Sequence, residues 1–277
     1  MTDAVVHTRI KKVQHAAITD VEDVVATEEP LEIRLVYGPS HNRRQQSISI
    51  TMRTPGNDEE LAAGFLFTEG IISSYSGITG IHAQHNEDQS IATVQLQENV
   101  IPALGAARRS FAATAACGVC GKTDLAAIHT GVNVSSAAAV ALTSADIICR
   151  LPAALQQEQA VFNTTGGLHA AALFDAAGRL QLLREDIGRH NAVDKIIGAA
   201  LQAPLLPLSS CLLLLSGRAG FELIQKAAMA NIPLIAAVGA PSSLAIKMAA
   251  AWNITLIGFL RGEKFNIYTG AERITCK

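Results

Sequence analysis

CLLLLSGRAGFELIQKAAMANIPLIAAVGAPSSLAIKMAAAWNITLIGFL, residues 211–260, is the stretch that decides the fold of this chain. It alternates apolar segments of strand length with segments of helix length. The predicted order is strand, helix, strand, helix, strand over residues 211–215, 221–231, 233–238, 242–252 and 254–260. Because the strands are apolar nearly throughout, they are typical of a parallel sheet covered on both faces. We therefore predict an α/β fold.

The segments just upstream extend this prediction. Residues 168–174 and 179–183 indicate two strands joined by a turn, and helices are expected over residues 144–158 and 189–202. We place an α/β domain at residues 126–277.

The N-terminal part of the chain predicts a smaller α+β subdomain at residues 1–110. A β-hairpin is expected from residues 31–37 and 45–52, and two further short strands from residues 78–82 and 91–96. Between them, a helix begins after Asn57, whose side chain is expected to cap it, and ends at Gly70. Residues 111–125 then form a glycine-punctuated loop between the two units.

Composition excludes several classes of function. The chain has 277 residues and a formal net charge of −2, and no segment concentrates basic residues, so nucleic acid is not expected as a partner. Aromatic residues make up only 4% of the chain. No uninterrupted apolar run is long enough to span a bilayer, and no export signal is visible, so we expect a cytoplasmic protein that does not enter a membrane.

The pair Cys117 and Cys120, in CGVCG, is the first candidate for chemistry. A thiolate is the nucleophile of sulfur chemistry, and this pair lies beside Lys122 in a loop made compliant by glycine. The spacing alone permits dithiol redox chemistry, carriage of a persulfide, a zinc site or a merely structural loop. Zinc would need further ligands, whereas the remaining cysteines stand alone in sequence.

Four other polar segments could line a site. EDIGRHNAVDK, residues 185–195, opens a helix with charged groups; it predicts either a lining for an anionic ligand or a solvated helix start in which Asp186 pairs with Arg189. The glycines before His169 are explained most simply by a turn.

The two remaining segments lie where predicted strands end. SGRAG, residues 216–220, runs from a strand into a helix and offers backbone N–H groups and the guanidinium of Arg218 to a phosphate. FLRGEK, residues 259–264, supplies two more cations at the end of the next strand but one. Ordinary loop polarity is the alternative for both, but open α/β sheets bind ligands at this edge.

Taken in order, these segments resemble one protein family. The resemblance rests on RTPGNDEELAAGFLFTEGII (53–72), CGVCG (117–121), TGGLHAA (165–171), EDIGRHNAVDK (185–195), SGRAGFELIQKA (216–227) and FNIYT (265–269). They are similar to motifs of the FdhD/NarQ accessory proteins of formate dehydrogenase. The match spans most of the chain, and one departure is Gly220, where the family more often has serine.

The resemblance implies a sulfur carrier that forms homodimers. A cysteine desulfurase would load sulfur onto it as a persulfide, and the sulfur would pass to molybdenum bis(molybdopterin guanine dinucleotide) before that cofactor enters formate dehydrogenase. It also implies a cytidine deaminase-like three-layer α/β/α fold. Deaminase chemistry itself is not expected, because His169 is not followed by the glutamate of the deaminase signature.

The resemblance also implies roles for particular residues. Cys117 would carry the persulfide and Cys120 would act as relay, although the sequence does not distinguish the two. The guanine dinucleotide pterin cofactor would be a bound substrate, and no tightly bound metal is expected. Its predicted binding residues are Phe259, Leu260, Arg261, Gly262, Glu263 and Lys264, with Arg218 added by geometry. A thiol-disulfide oxidoreductase and a non-catalytic cofactor chaperone are the competing hypotheses.

Overall fold

The computed structural model describes residues 3–86, 89–104 and 143–276. The predicted loop at residues 111–125, with Cys117 and Cys120, lies outside these residues. No helix in the described part of the chain is long and apolar enough to cross a membrane.

A six-stranded sheet forms the centre of the C-terminal part. Its strands are β8 (His169–Asp175), β9 (Leu180–Asp186), β10 (Cys211–Leu215), β11 (Leu234–Ala237), β12 (Thr255–Arg261) and β13 (Lys264–Thr269). They lie in the order β13-β12-β11-β10-β8-β9. Strands β10, β11 and β12 run parallel, whereas β8 is antiparallel to β10 and to β9, and β13 is antiparallel to β12. The predicted parallel sheet is confirmed for residues 211–260 and is widened by antiparallel strands on both sides.

Helices cover both faces of this sheet. The described helices are α1 (Asp58–Thr68), α2 (Ala145–Glu158), α3 (Ala160–Thr165), α4 (Arg189–Gln202), α5 (Phe221–Met229) and α6 (Ser243–Ala251). Successive strand residues point to opposite faces, so Leu173 joins the core beneath α4, α5 and α6, while Phe174 joins a second core beneath α2. The fold is mixed α/β; the expected likeness to cytidine deaminases stays a prediction.

The N-terminal part contains a second sheet. Its strands are β3 (Glu29–Tyr37), β4 (Arg44–Arg53), β5 (Ile78–His85) and β6 (Ser90–Leu96), in the order β4-β3-β6-β5. The predicted hairpin of β3 and β4 is confirmed, and so are the two short strands. Helix α1 covers this sheet, and its apolar residues join the core that also holds α4 and α5.

The ends of α1 differ from the prediction at one side only. Gly70 has a φ of +70° and its N–H donates to the carbonyl of Phe67, so the predicted helix end is confirmed. Asn57 precedes the helix, but its side chain makes no capping hydrogen bond, so the predicted cap is wrong. The reason is its left-handed backbone, with φ of 57°, whereas capping side chains extend from residues in the β region.

A two-stranded ribbon precedes the second sheet. It consists of β1 (Val5–Gln14) and β2 (Ala17–Ala26), paired in antiparallel register. Its residues are exposed along most of both strands. A short parallel pair, β7 (Thr143–Ser144) and β14 (Ile274–Thr275), completes the described strands.

Helices α1 and α4 cross closely at two glycines. A Cβ atom on Gly64 would overlap the backbone carbonyl of Asp194, and one on Gly198 would overlap the carbonyl of Glu60. Glycine is required at both positions because any side chain would push the helices apart. This crossing joins the N-terminal part to the six-stranded sheet, and we call it the junction.

Candidate functional site

Three chain segments meet where the parallel strands end. A Cβ atom on Gly239, which follows β11, would lie 2.9 Å from the carbonyl oxygen of Gly217 and 3.0 Å from Cα of Arg218. The N–H of Phe259, on β12, donates to the carbonyl of Gly239 at 3.0 Å. These contacts bring the predicted segments 216–220 and 259–264 together at one glycine. We call this region the carboxyl edge.

His169 reaches the same edge from the neighbouring strand. Because β8 runs antiparallel to β10, its first residue lies beside the last residues of β10. The N–H of Ala170 donates to Oγ of Ser216 at 2.8 Å, and the N–H of Ser216 donates to the carbonyl of Ala170 at 3.0 Å. A Cβ atom on Gly217 would lie 3.1 Å from Nδ1 of His169, so the imidazole packs against the backbone of this glycine.

The start of α4 adds two basic side chains. Strand β9 ends at Asp186, directly opposite His169, so the helix that follows begins at the carboxyl edge with Arg189 and His190. Nε2 of the buried His190 lies 3.8 Å from Oε2 of Glu222, in the first turn of α5. Nε of Arg189 is buried and has no hydrogen-bond partner among the described residues.

The electrostatics of the edge are dominated by cations. Burial lowers the pKa of His169, and Arg189, His190 and Arg218 lower it further, against a smaller opposing effect of Asp186. The imidazole is therefore neutral at pH 7. Such an edge, with helix N-termini, guanidinium groups and accessible backbone, is suited to an anionic ligand.

Glu222 is the negative partner within this group. The neighbouring His190 has the largest effect and lowers the pKa of the Glu222 carboxyl group, and the charge of Arg189 acts in the same direction against desolvation. Glu222 is thus an ionised carboxylate at neutral pH. It offsets part of the positive charge of Arg189, but Arg218 is exposed at the opening of the edge.

The predicted binding segment forms the hairpin of β12 and β13. Phe259 is 42% exposed and has a φ of 56°, which lies beside an irregularity in the strand pairing. Arg261 and Lys264 face each other across the turn and are exposed, as are Gly262 and Glu263 between them.

Leu260 differs from its neighbours in this segment. Its side chain is fully buried in the core beneath α2. The structure therefore brings Arg218 and Phe259 together at Gly239, exposes the charged residues of the hairpin, and turns Leu260 inward. The predicted residues Cys117 and Cys120 lie outside the described part of the chain.

The polar segment 185–195 divides between two places. Asp186 is fully buried and pairs with Nζ of Lys195 at 2.8 Å, not with Arg189, so the predicted solvated helix start is wrong. Lys195 also donates to the carbonyl of Thr54 at 2.9 Å, which ties the segment to the N-terminal part. Arg189 and His190 lie at the carboxyl edge, and the interpretation of this segment as a lining for an anionic ligand stays a prediction.

Sequence reasoning missed two contributors to this edge. The glycines before His169 were explained by a turn and His169 itself received no role, because only the pairing of β8 with β10 places it beside residues 216–220. Glu222 received no role, although it follows the strand-to-helix connection directly. In the described residues, no group of three or more His, Cys, Asp or Glu side chains could hold a metal ion.

Comparison with known proteins identifies the family. Residues 26–275 match the model of the FdhD/NarQ family. The chain belongs to the FdhD/NarQ family. A relative from Mycobacterium bovis, named sulfur carrier protein FdhD, is 44% identical over 98% of this chain and 99% of its own length. One of the same name from Streptomyces coelicolor is 43% identical over 97% of this chain and 95% of its own length.

A solved structure shares the fold of this FdhD/NarQ chain. It is a crystal structure described as a formate dehydrogenase accessory protein from Desulfotalea psychrophila. The TM-score is 0.72 and the sequence identity 22%, and the match covers 98% of this chain and all of the other. The resemblance inferred from the motifs is thereby confirmed at the level of the family.

Proposed function

We propose that this chain is a sulfur carrier that serves a formate dehydrogenase. The observation that carries the proposal is the similarity, along nearly the whole chain, to relatives named sulfur carrier protein FdhD. The formate dehydrogenase as client follows from the resemblance of the motifs to the accessory proteins of that enzyme. In this proposal the protein acts in the cytoplasm as a homodimer.

The sulfur would be carried on the Cys117 and Cys120 pair as a sulfurtransferase intermediate. The thiolate of Cys117 attacks the terminal sulfur of a persulfide on a cysteine desulfurase. A new S–S bond forms on Cys117, the S–S bond of the donor breaks, and the donor cysteine leaves as a thiolate. No oxidant is required, because the terminal sulfur keeps its oxidation state through the exchange. Cys120 then acts as the relay thiol.

The acceptor in this proposal is molybdenum bis(molybdopterin guanine dinucleotide), bound as substrate. Each guanine dinucleotide arm carries a pyrophosphate, which needs cations and N–H donors. The carboxyl edge supports this part of the proposal because it combines both: Arg218, Arg261 and Lys264 are exposed there, and the buried Nε of Arg189 has no hydrogen-bond partner among the described residues. Phe259 adds an exposed ring for the guanine.

The experiment that tests sulfur carriage is mass spectrometry of the intact protein after incubation with a cysteine desulfurase and cysteine. We expect one added sulfur, removable by a reductant, on the peptide that contains Cys117 and Cys120. Cys117→Ala should abolish the gain. Cys149→Ala is the matched control and should keep it, because desolvation and the nearby Asp146 raise the pKa of that thiol and so lower its thiolate fraction.

Other outcomes would favour the competing hypotheses. An internal disulfide between Cys117 and Cys120 without added sulfur would indicate a thiol-disulfide oxidoreductase. Nucleotide binding that persists when neither cysteine accepts sulfur would indicate a non-catalytic cofactor chaperone.

A further inference from the structure

His169 occupies an unusual position for a histidine with a structural role. Its ring lies against Gly217, at the strand end where the exposed Arg218 begins the connection to α5. It is half-buried, and among the described residues no hydrogen bond to its side chain holds it in place, whereas the Ser216 hydroxyl accepts from the N–H of Ala170. The ring therefore belongs to the surface on which a ligand at the carboxyl edge would rest.

Each element around His169 contributes a charge. Opposite it on β9 is Asp186, which is already paired with Lys195 at 2.8 Å. Helix α4 contributes Arg189 and His190, of which His190 faces Glu222 at 3.8 Å. The connection after β10 contributes Arg218. The charge near the ring is net positive, because two guanidinium groups outweigh the carboxylate of Glu222 while the carboxylate of Asp186 is already paired with Lys195.

This arrangement makes protonation of His169 depend on what occupies the edge. Without a ligand, burial makes a protonated imidazole unfavourable, and the positive charges of Arg189 and Arg218 add to the cost. A phosphate that binds between these groups reverses the sign of the local field. A protonated imidazole then pairs with the bound anion, and this attraction offsets its repulsion by the arginines.

We propose that His169 takes up a proton from solvent when a pyrophosphate binds at the carboxyl edge, and that it then holds the ligand as an imidazolium. The inference rests on the proposed function, since it deepens the assignment of this edge to the guanine dinucleotide arms. One N–H bond forms on the ring, the proton comes from water or buffer, and nothing is oxidised or reduced. His169 is thus a ligand-binding residue whose protonation depends on the negative charge of the phosphate.

The direction of the pH dependence follows from the two states of the ring. The pKa of His169 is low without ligand and rises when the anion is bound. The contribution of His169 to ligand affinity is therefore complete below the pKa of the free protein and is lost as the pH rises through the pKa of the complex. Uptake of one proton limits the change to about tenfold in affinity per pH unit.

The experiment is calorimetric titration of the full chain with GDP as probe, at pH 7 in PIPES and in Tris. The difference in observed heat between buffers of different ionisation enthalpy gives the number of protons taken up. The terminal phosphate of GDP also titrates near neutral pH, so the readout is wild type minus variant under matched conditions. The variants are His169→Asn and, in case one folds poorly, His169→Gln. His82→Asn, at an exposed position on β5, is the control.

We expect wild type and the His82 variant to take up more protons than either His169 variant, by up to one proton. The pH dependence of GDP affinity should flatten between pH 6 and 8 in the His169 variants only. GDP binding with equal proton uptake in wild type and both His169 variants would overturn the inference while leaving the proposed site intact. Absence of GDP binding to wild type would overturn the proposed cofactor site, and the inference with it.

Discussion

The junction and the carboxyl edge are both rich in charged residues, yet they are built in opposite ways. At the junction, Nζ of Lys226 lies 2.9 Å from both carboxylate oxygens of Asp194 and donates to the hydroxyl of Thr68 at 2.9 Å. At the edge, Arg218 is exposed and Nε of Arg189 has no hydrogen-bond partner among the described residues. The paired charges at the junction stabilise the fold. The exposed or unpaired cations that the structure describes at the carboxyl edge are available to a ligand.

The junction is also closed sterically. Gly64 and Gly198 leave no space between α1 and α4, and the buried pair of Lys226 and Asp194 lies beside their crossing. Desolvation opposes the charge on Lys226, but the carboxylates of Asp194 and Glu69 prevail and raise the pKa of its ammonium group. Loss of either the contact between α1 and α4 or the pair of Lys226 and Asp194 should therefore destabilise the whole fold.

The largest effect should come from Gly64→Ala. The added methyl group would overlap the carbonyl of Asp194, so α1 and α4 must separate along a crossing that is buried. We expect a loss of more than about 5 kcal/mol in the free energy of unfolding, measured by denaturant titration. Gly167→Ala is the control, since its nearest neighbour would be an ordinary 3.7 Å from the new Cβ. Equal stability of the two variants would show that the junction is not tightly closed.

The next effect in size is expected from Lys226→Met. This change keeps most of the side-chain volume but leaves the carboxylate of Asp194 buried without its cation. We expect a loss of about 3–5 kcal/mol in unfolding free energy, as for other broken buried ion pairs.

The matched control for Lys226→Met is Lys11→Met on the ribbon. Lys11 pairs with Asp20 at 2.9 Å, the same distance, but both side chains are at least 70% exposed. Exposed pairs contribute little, so this variant should unfold like wild type. A similar loss of unfolding free energy in both variants would contradict the distinction between the buried ion pair at the junction and the exposed pair on the ribbon.

Many of the helices and strands could be predicted from sequence, because the local sequence patterns agree with the tertiary structure in these elements. Helix α4 was expected over residues 189–202 and is found there, and the apolar strands of residues 211–260 pair in parallel as expected. The ribbon of β1 and β2 was not predicted. His15 and Ala16 form its turn at positive φ, of 48° and 64°. The asparagine and glycine that are typical of such a turn are not present at these positions.

The site was less predictable because it depends on contacts between distant segments. Arg218 and the hairpin residues Arg261 and Lys264 could be proposed from their positions after strands. The part of His169 could not, because only the antiparallel placement of β8 beside β10 brings it to Gly217. The assignment of Cys117 and Cys120 as the sulfur-bearing pair stays a prediction.

The smallest of these effects, in energy, gives the most direct test of the carboxyl edge as the cofactor site. GDP should be titrated by calorimetry into wild type, Arg261→Ala, Arg218→Ala and, as control, Arg44→Ala at an exposed position of β4. The account predicts that each edge variant loses about tenfold in affinity, about 1.4 kcal/mol, with the Arg44 variant unchanged and sulfur loading retained throughout. Unchanged GDP affinity in both edge variants would contradict it.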